Sequence, residues 1–176
     1  LGTAAGFGVS FPLDRDYTKK KLGFDKNIVN SLFAQASRGK FESLTLEALS
    51  QVMLTLSRFA TDMLFFTARE TGFVTVSESL TTGSSIMPHK KNPDVAEILR
   101  GKTNRLKGLP AEIAFVQSNL PSGYHREFQI LKEIIIPSID EILDCIKVTA
   151  FMVKNLQVKT NLLDDKKYDP IFSVEN

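Results

Sequence analysis

Apolar residues spaced at helical intervals over long stretches constrain this chain more than any other feature. Between Phe41 and Thr71, Leu49, Met53, Leu56, Ala60 and Met63 recur at steps of four and three, with Val52 and Phe59 widening the stripe. Gly72 follows as a natural stop. A second helix is expected from Pro93, where a missing N–H costs nothing, with Asn92 as its N-cap. Val95, Leu99, Leu106, Leu109, Ile113 and Val116 mark its buried side, and Pro110 should kink it. A third helix is expected from about Tyr124 to Asn155, on the seam Ile135, Ile139, Ile142, Ile146, Ala150 and Val153, bent at Pro137. At 1.5 Å per residue, helices of this kind span roughly 35–50 Å.

Three long helices with few strands predict an all-α bundle. Stripes this long need more partners than three helices supply. The remaining cover must come from other chains or from sequence outside these 176 residues. Residues 1–30 read as loop, punctuated by Gly2, Gly6, Gly8 and Gly23. The glycines from Leu1 to Gly8 loosely suggest a phosphate-cradling turn. No strand is expected before them and no capped helix after them, so a plain loop is the better reading.

Composition excludes several classes. Lysine and arginine total 22 against 20 acids, and a net charge of +2 offers no basic field for nucleic acid. The single cysteine, Cys145, excludes an internal disulfide and a cysteine-built zinc site. His89 and His125 leave little for a histidine-rich metal site. Apolar runs are too short to span a membrane, and no basic start followed by an apolar stretch reads as a signal peptide. A cytosolic protein, or a piece of one, is expected.

The chemistry concentrates between the first two helices, in residues 81–92. Gly83, Ser84 and Ser85 form a turn, two lysines follow, and then a helix begins. Helix N-terminal amides carry partial positive charge, and with Lys90, Lys91 and Asn92 they compose a small anion site suited to a carboxylate or phosphate. A serine beside concentrated positive potential is a candidate proton carrier. The plain alternative is a Ser/Gly linker running into a capped helix with solvated lysines.

The string Gly83-Ser84-Ser85-Ile86-Met87-Pro88-His89-Lys90-Lys91-Asn92 resembles the signature loop of the fumarase/aspartase superfamily. Its continuation to Arg105 is similar to the argininosuccinate lyase family, as are Pro12–Asp16, Leu22–Asn27 and Tyr124-His-Arg-Glu-Phe-Gln129-Ile-Leu-Lys132-Glu133. The resemblance covers roughly residues 1–160, the second half of such an enzyme. It implies a long-helix bundle contributing to a homotetrameric helical core. It further implies residues 1–157 as the second half of a central helical domain and 158–176 as the start of a small helical C-terminal domain. The implied reaction splits argininosuccinate into arginine and fumarate in the cytoplasm, with neither cofactor nor metal.

Position by position, the resemblance makes Ser84 the proton-transfer group and Lys90 the residue that stabilises the carbanion as an aci-carboxylate. Asn92 shares the hold on the succinyl carboxylates, while Tyr124, Gln129 and Lys132 grip the arginine-like and carboxylate ends. A lysine and a helix N-terminus aimed at a carboxylate lower the barrier to removing the neighbouring carbon proton, and the leaving guanidino nitrogen needs an opposed acid. Two departures stand out. His89 occupies a position that is glutamine in many argininosuccinate lyases and histidine in adenylosuccinate lyases, the alternative reading. The family's Thr-His pair, and the substrate-binding asparagine and serine of the first half, have no counterpart here, so these 176 residues are not expected to act alone. Further alternatives are another fumarate-releasing lyase of the superfamily and a non-catalytic homologue, since lens crystallins share the family. His89 and His125 are read as supporting or solvated residues, and Cys145 as inert core.

Overall fold

The computed structural model describes residues 4, 6–26, 30–77, 80–83, 86 and 91–161. Ser84, His89, Lys90 and the tail from 162 onward lie outside the described residues. Among the described residues the chain is mostly helical, as expected: α1 (Arg15–Leu22), α2 (Ser31–Ala36), α3 (Lys40–Phe66), α4 (Asp94–Leu106), α5 (Leu109–Val116) and α6 (Ile130–Lys154). Two short antiparallel ladders join β1 (Val74–Val76) to β4 (Leu156–Val158), and β2 (Thr82–Gly83) to β3 (Lys91–Asn92).

The N-terminal stretch corrects one expectation, because α1 and the first capping residue of α2 fall inside the region read as loop. Asp14 Oδ1 accepts the Tyr17 amide at 2.8 Å, Gly23 closes the other end in the left-handed conformation at φ 72°, and three lysines fill the last turn. Asn30 caps α2 by accepting the Leu32 amide at 2.8 Å. No residue of α1 is buried. End chemistry holds such a helix without an apolar stripe, and a search for periodicity passes over it.

The second expected helix is two. Pro110 has no N–H to offer the Leu106 carbonyl, so α4 ends at Leu106 and α5 restarts after Gly108 with Pro110 in its first turn. The third helix starts later than expected. Residues Arg126–Gln129 form a 3-10 turn, and α6 then runs through Pro137 without interruption.

Contacts divide the chain into two units. The first comprises Leu1–Leu49 and Lys107–Ile139, the second Ser50–Leu106 and Asp140–Asn176. In the first unit Leu46, Ile113, Phe128, Leu131 and Ile134 form the core, with Leu49, Leu109, Val116, Leu120 and Ile135 packed against it. The Ser43 hydroxyl donates to the Pro110 carbonyl at 3.4 Å, joining α3 to α5. In the second unit the buried residues include Met53, Ala60, Met63, Ala96, Leu99, Leu106, Ile142, Cys145 and Met152. Thr103, fully buried, has its hydroxyl 2.9 Å from the Leu99 carbonyl and 3.3 Å from that of Met53, tying α4 to α3.

The stripe of α3 is found with additions. Met53, Ala60 and Met63 are buried and Leu49, Leu56 and Phe59 half-buried, while Leu46 and Ser50 join the buried side and Val52 is exposed. The seam of α6 is displaced. Its buried side is Leu131, Ile134, Ser138, Ile142, Cys145, Thr149 and Met152. Ile139, Ile146, Ala150 and Val153, expected inside, are exposed. Ser138 and Thr149 can be buried because their hydroxyls donate to the helix's own carbonyls, at Ile134 (2.5 Å) and Cys145 (2.8 Å). The helix therefore carries two apolar faces, of which the described residues cover one.

Candidate functional site

In the second unit the ladder of Thr82 with Asn92 and Gly83 with Lys91 joins the two ends of the signature loop. Ser84 follows Gly83 directly and Lys90 precedes Lys91, so both belong to the segment between these strands, outside the described residues. Asn92 is half-buried and stands in the ladder rather than at the N-cap. The helix begins at Asp94 instead of Pro93. The Pro93 carbonyl accepts the Ala96 and Glu97 amides at 3.0 and 3.4 Å, as a capping residue's would. The Thr82 hydroxyl donates to the Asp94 carboxylate, tying β2 to the first turn of α4.

Further along α4, Lys102 and Arg105 hold Glu141 of α6, with Lys102 Nζ 2.6 Å from the carboxylate. The Glu141 side chain is 11% exposed. Desolvation alone would raise its pKa, but the hydrogen bond and charge of Lys102, with Arg105 beside it, hold the carboxyl below the ordinary range. This triad has no signature in the sequence, because its acid lies 36 and 39 residues from its bases. Cys145 is buried, and burial pushes its thiol up, which suits inert core rather than a nucleophile.

The first unit gathers the other three expected residues. Lys132 Nζ donates to Gln129 Oε1 at 3.1 Å, and Gln129 Nε2 donates to the Tyr124 hydroxyl oxygen at 3.4 Å. All three are exposed. Gln129 closes the 3-10 turn and Lys132 lies in the first turn of α6, three residues on and so on the same side, while Tyr124 stands just before the turn. Used as acceptors in the row, the Gln129 oxygen and the Tyr124 oxygen leave outward the phenol O–H, one amide N–H and two ammonium N–H groups. A surface of donors around one positive charge suits a carboxylate. Among the described residues no group of three or more His, Cys, Asp or Glu could hold a metal ion, and no helix is long and apolar enough to cross a membrane.

The chain belongs to the lyase family: the family profile described as Lyase matches residues 1–108. Over 175 residues it is 47% identical to the argininosuccinate lyase of Parabacteroides distasonis and to that of Bacteroides thetaiotaomicron, matches that take in 99% of this chain and 39% of each relative. It is 41% identical over 165 residues to the argininosuccinate lyase of Thermotoga neapolitana, covering 94% of this chain and 42% of that one. The chain thus spans about two fifths of the length of the curated relatives it matches. Among solved structures it is similar to EDDS lyase in complex with formate (TM-score 0.81, 27% identity, 96% of this chain and 33% of that one). A variant of the same enzyme with bound fumarate matches at TM-score 0.80 and 26% identity, over the same shares. The fold is the long-helix bundle of the fumarase/aspartase type.

Proposed function

We propose that the full-length protein is an argininosuccinate lyase, splitting argininosuccinate into arginine and fumarate. The observation that carries this reading is the row Tyr124, Gln129 and Lys132, a donor surface in a chain 47% identical to argininosuccinate lyases. A base removes the proton from the succinyl carbon beside a carboxylate, the C–N bond breaks, its electron pair leaves with the guanidino nitrogen, and the carbon–carbon double bond of fumarate forms. Ser84 transfers the proton. Lys90 and Asn92 stabilise the charge that builds on the carboxylate. Tyr124, Gln129 and Lys132 hold the substrate's ends.

On this reading the enzyme is a cytoplasmic homotetramer. Its partners meet along the exposed face of α6, where Ile136, Ile139, Leu143, Ile146, Ala150 and Val153 recur at steps of three and four, the spacing of a helix–helix seam. Residues 1–157 belong to its central helical domain, and 158–176 begin a small C-terminal one. The 176 residues alone are inactive, for want of the opposing half of the site. The test is fumarate release by the full-length enzyme from argininosuccinate and, separately, from adenylosuccinate. Release from argininosuccinate is expected. Release from adenylosuccinate alone overturns the assignment.

A further inference from the structure

We propose that His125 is a positioning residue, whose imidazole closes the turn that presents Tyr124 and so sets the reach of the Tyr124, Gln129 and Lys132 row. The inference rests on the reading of that row as substrate-facing. His125 has extended backbone immediately before the 3-10 turn. Its Nε2 lies 2.6 Å from the Pro121 carbonyl, four residues back. A carbonyl only accepts, so that contact puts the imidazole proton on Nε2. Among the described residues no backbone hydrogen bond spans Pro121 to His125. The side chain therefore supplies the closure that backbone supplies in an ordinary turn.

The other end of the ring is anchored in the core. It meets the Phe128 ring edge-to-face at 5.9 Å and 74°. Phe128 is buried in the first unit and also carries the Arg38 guanidinium at 5.4 Å. Between the two anchors Gly123 adopts φ 141°, a conformation that a side-chain-bearing residue rarely takes. Tyr124 is thus held between a glycine in a conformation open to glycine and a histidine pinned at both ends. Its hydroxyl contact with Gln129, at 3.4 Å, is near the outer limit of a hydrogen bond, so a small displacement of the turn breaks it.

The two anchors can be separated by substitution. His125→Phe keeps a ring against Phe128 and removes the donor, whereas His125→Gln keeps an N–H donor at the ε position and removes the ring. In the full-length enzyme, His125→Phe is expected to raise KM for argininosuccinate about 3- to 10-fold, the size of one lost hydrogen bond, with kcat changed less than about twofold, as for an interaction lost equally from ground and transition states. His125→Gln should restore most of the loss. Carbon-13 at tyrosine Cζ, with the Tyr124 signal assigned by its disappearance in Tyr124→Phe, should show that signal shifted in His125→Phe and returned in His125→Gln. If His125→Phe does not fold, His125→Ala serves as the donor-free variant.

Unchanged KM and an unchanged Tyr124 signal in the donor-free variant overturn the proposal. So does a loss that His125→Gln fails to restore, since the Nε2 donor would then not be what closes the turn. Failure of the underlying reading looks different. A wild-type enzyme that leaves argininosuccinate intact, or a Tyr124→Phe enzyme with unaltered KM, removes the substrate assignment, and the Tyr124 signal then decides the positioning role by itself.

Discussion

Lys132 Nζ donates to Gln129 Oε1 at 3.1 Å across the entry to α6. The bond orients the amide so that its nitrogen faces the Tyr124 hydroxyl, and the three residues become one hydrogen-bonded row. Lys132→Met should remove the row's only charge. Hydrogen bonds to charged groups contribute about 1.5–3 kcal/mol, so kcat/KM for argininosuccinate should fall about 10- to 100-fold. Tyr124→Phe, losing a neutral donor, should cost less. Steady-state kinetics on both full-length variants test the order, and equal losses would contradict it.

Ser84→Ala separates chemistry from binding. A positioned acid–base group is worth typically 10²–10⁴ in rate, so kcat should drop at least 10²-fold. Argininosuccinate affinity, measured by calorimetry, should hardly change. Lys90→Ala should damage both, because its charge serves the bound carboxylate as well as the transition state. A Ser84→Ala enzyme retaining a tenth of its rate, well above that range, would remove serine from the proton transfer.

Glu141 makes a pH-dependent contribution to stability. Its folded-state pKa lies below the ordinary carboxylate range, because Lys102 and Arg105 outweigh the desolvation that would raise it. The stabilisation is therefore complete above the ordinary carboxylate range and disappears as pH falls through the lowered value. Lys102 and Arg105 are 43% and 68% exposed, so water screens the pair and its worth is modest. Glu141→Gln should lose about 1–2 kcal/mol at neutral pH, and the gap in thermal midpoint between variant and wild type should narrow on acidification. A gap that stays constant with pH would mean the loss comes from packing.

Ile146→Asp tests the uncovered face of α6. Ile146, in the second unit, is 38% exposed, so a charge there should leave the helix intact by circular dichroism. A charge buried without a partner costs several kcal/mol, enough to dissociate a helix–helix interface. Light scattering of the full-length variant should show a species smaller than the wild-type protein. An unchanged mass would place that face elsewhere.

Part of this protein is determined by its sequence alone. The long stripes of α3 and α6 demand helices, and Gln129 and Lys132 stand three apart, a spacing that a helix entry brings together. These features are local, since a helix relates residues three and four apart and spacing suffices to read it. Tertiary structure decided the rest. Two faces of α6 are apolar enough to be buried, and the choice fell on the one containing Ser138 and Thr149, whose hydroxyls the helix itself satisfies. The break before Pro110, the capped but unburied α1, and the grip of Lys102 and Arg105 on Glu141 likewise escape periodicity. Burial and long-range charge pairing depend on what surrounds a residue in space, which spacing along the chain does not record.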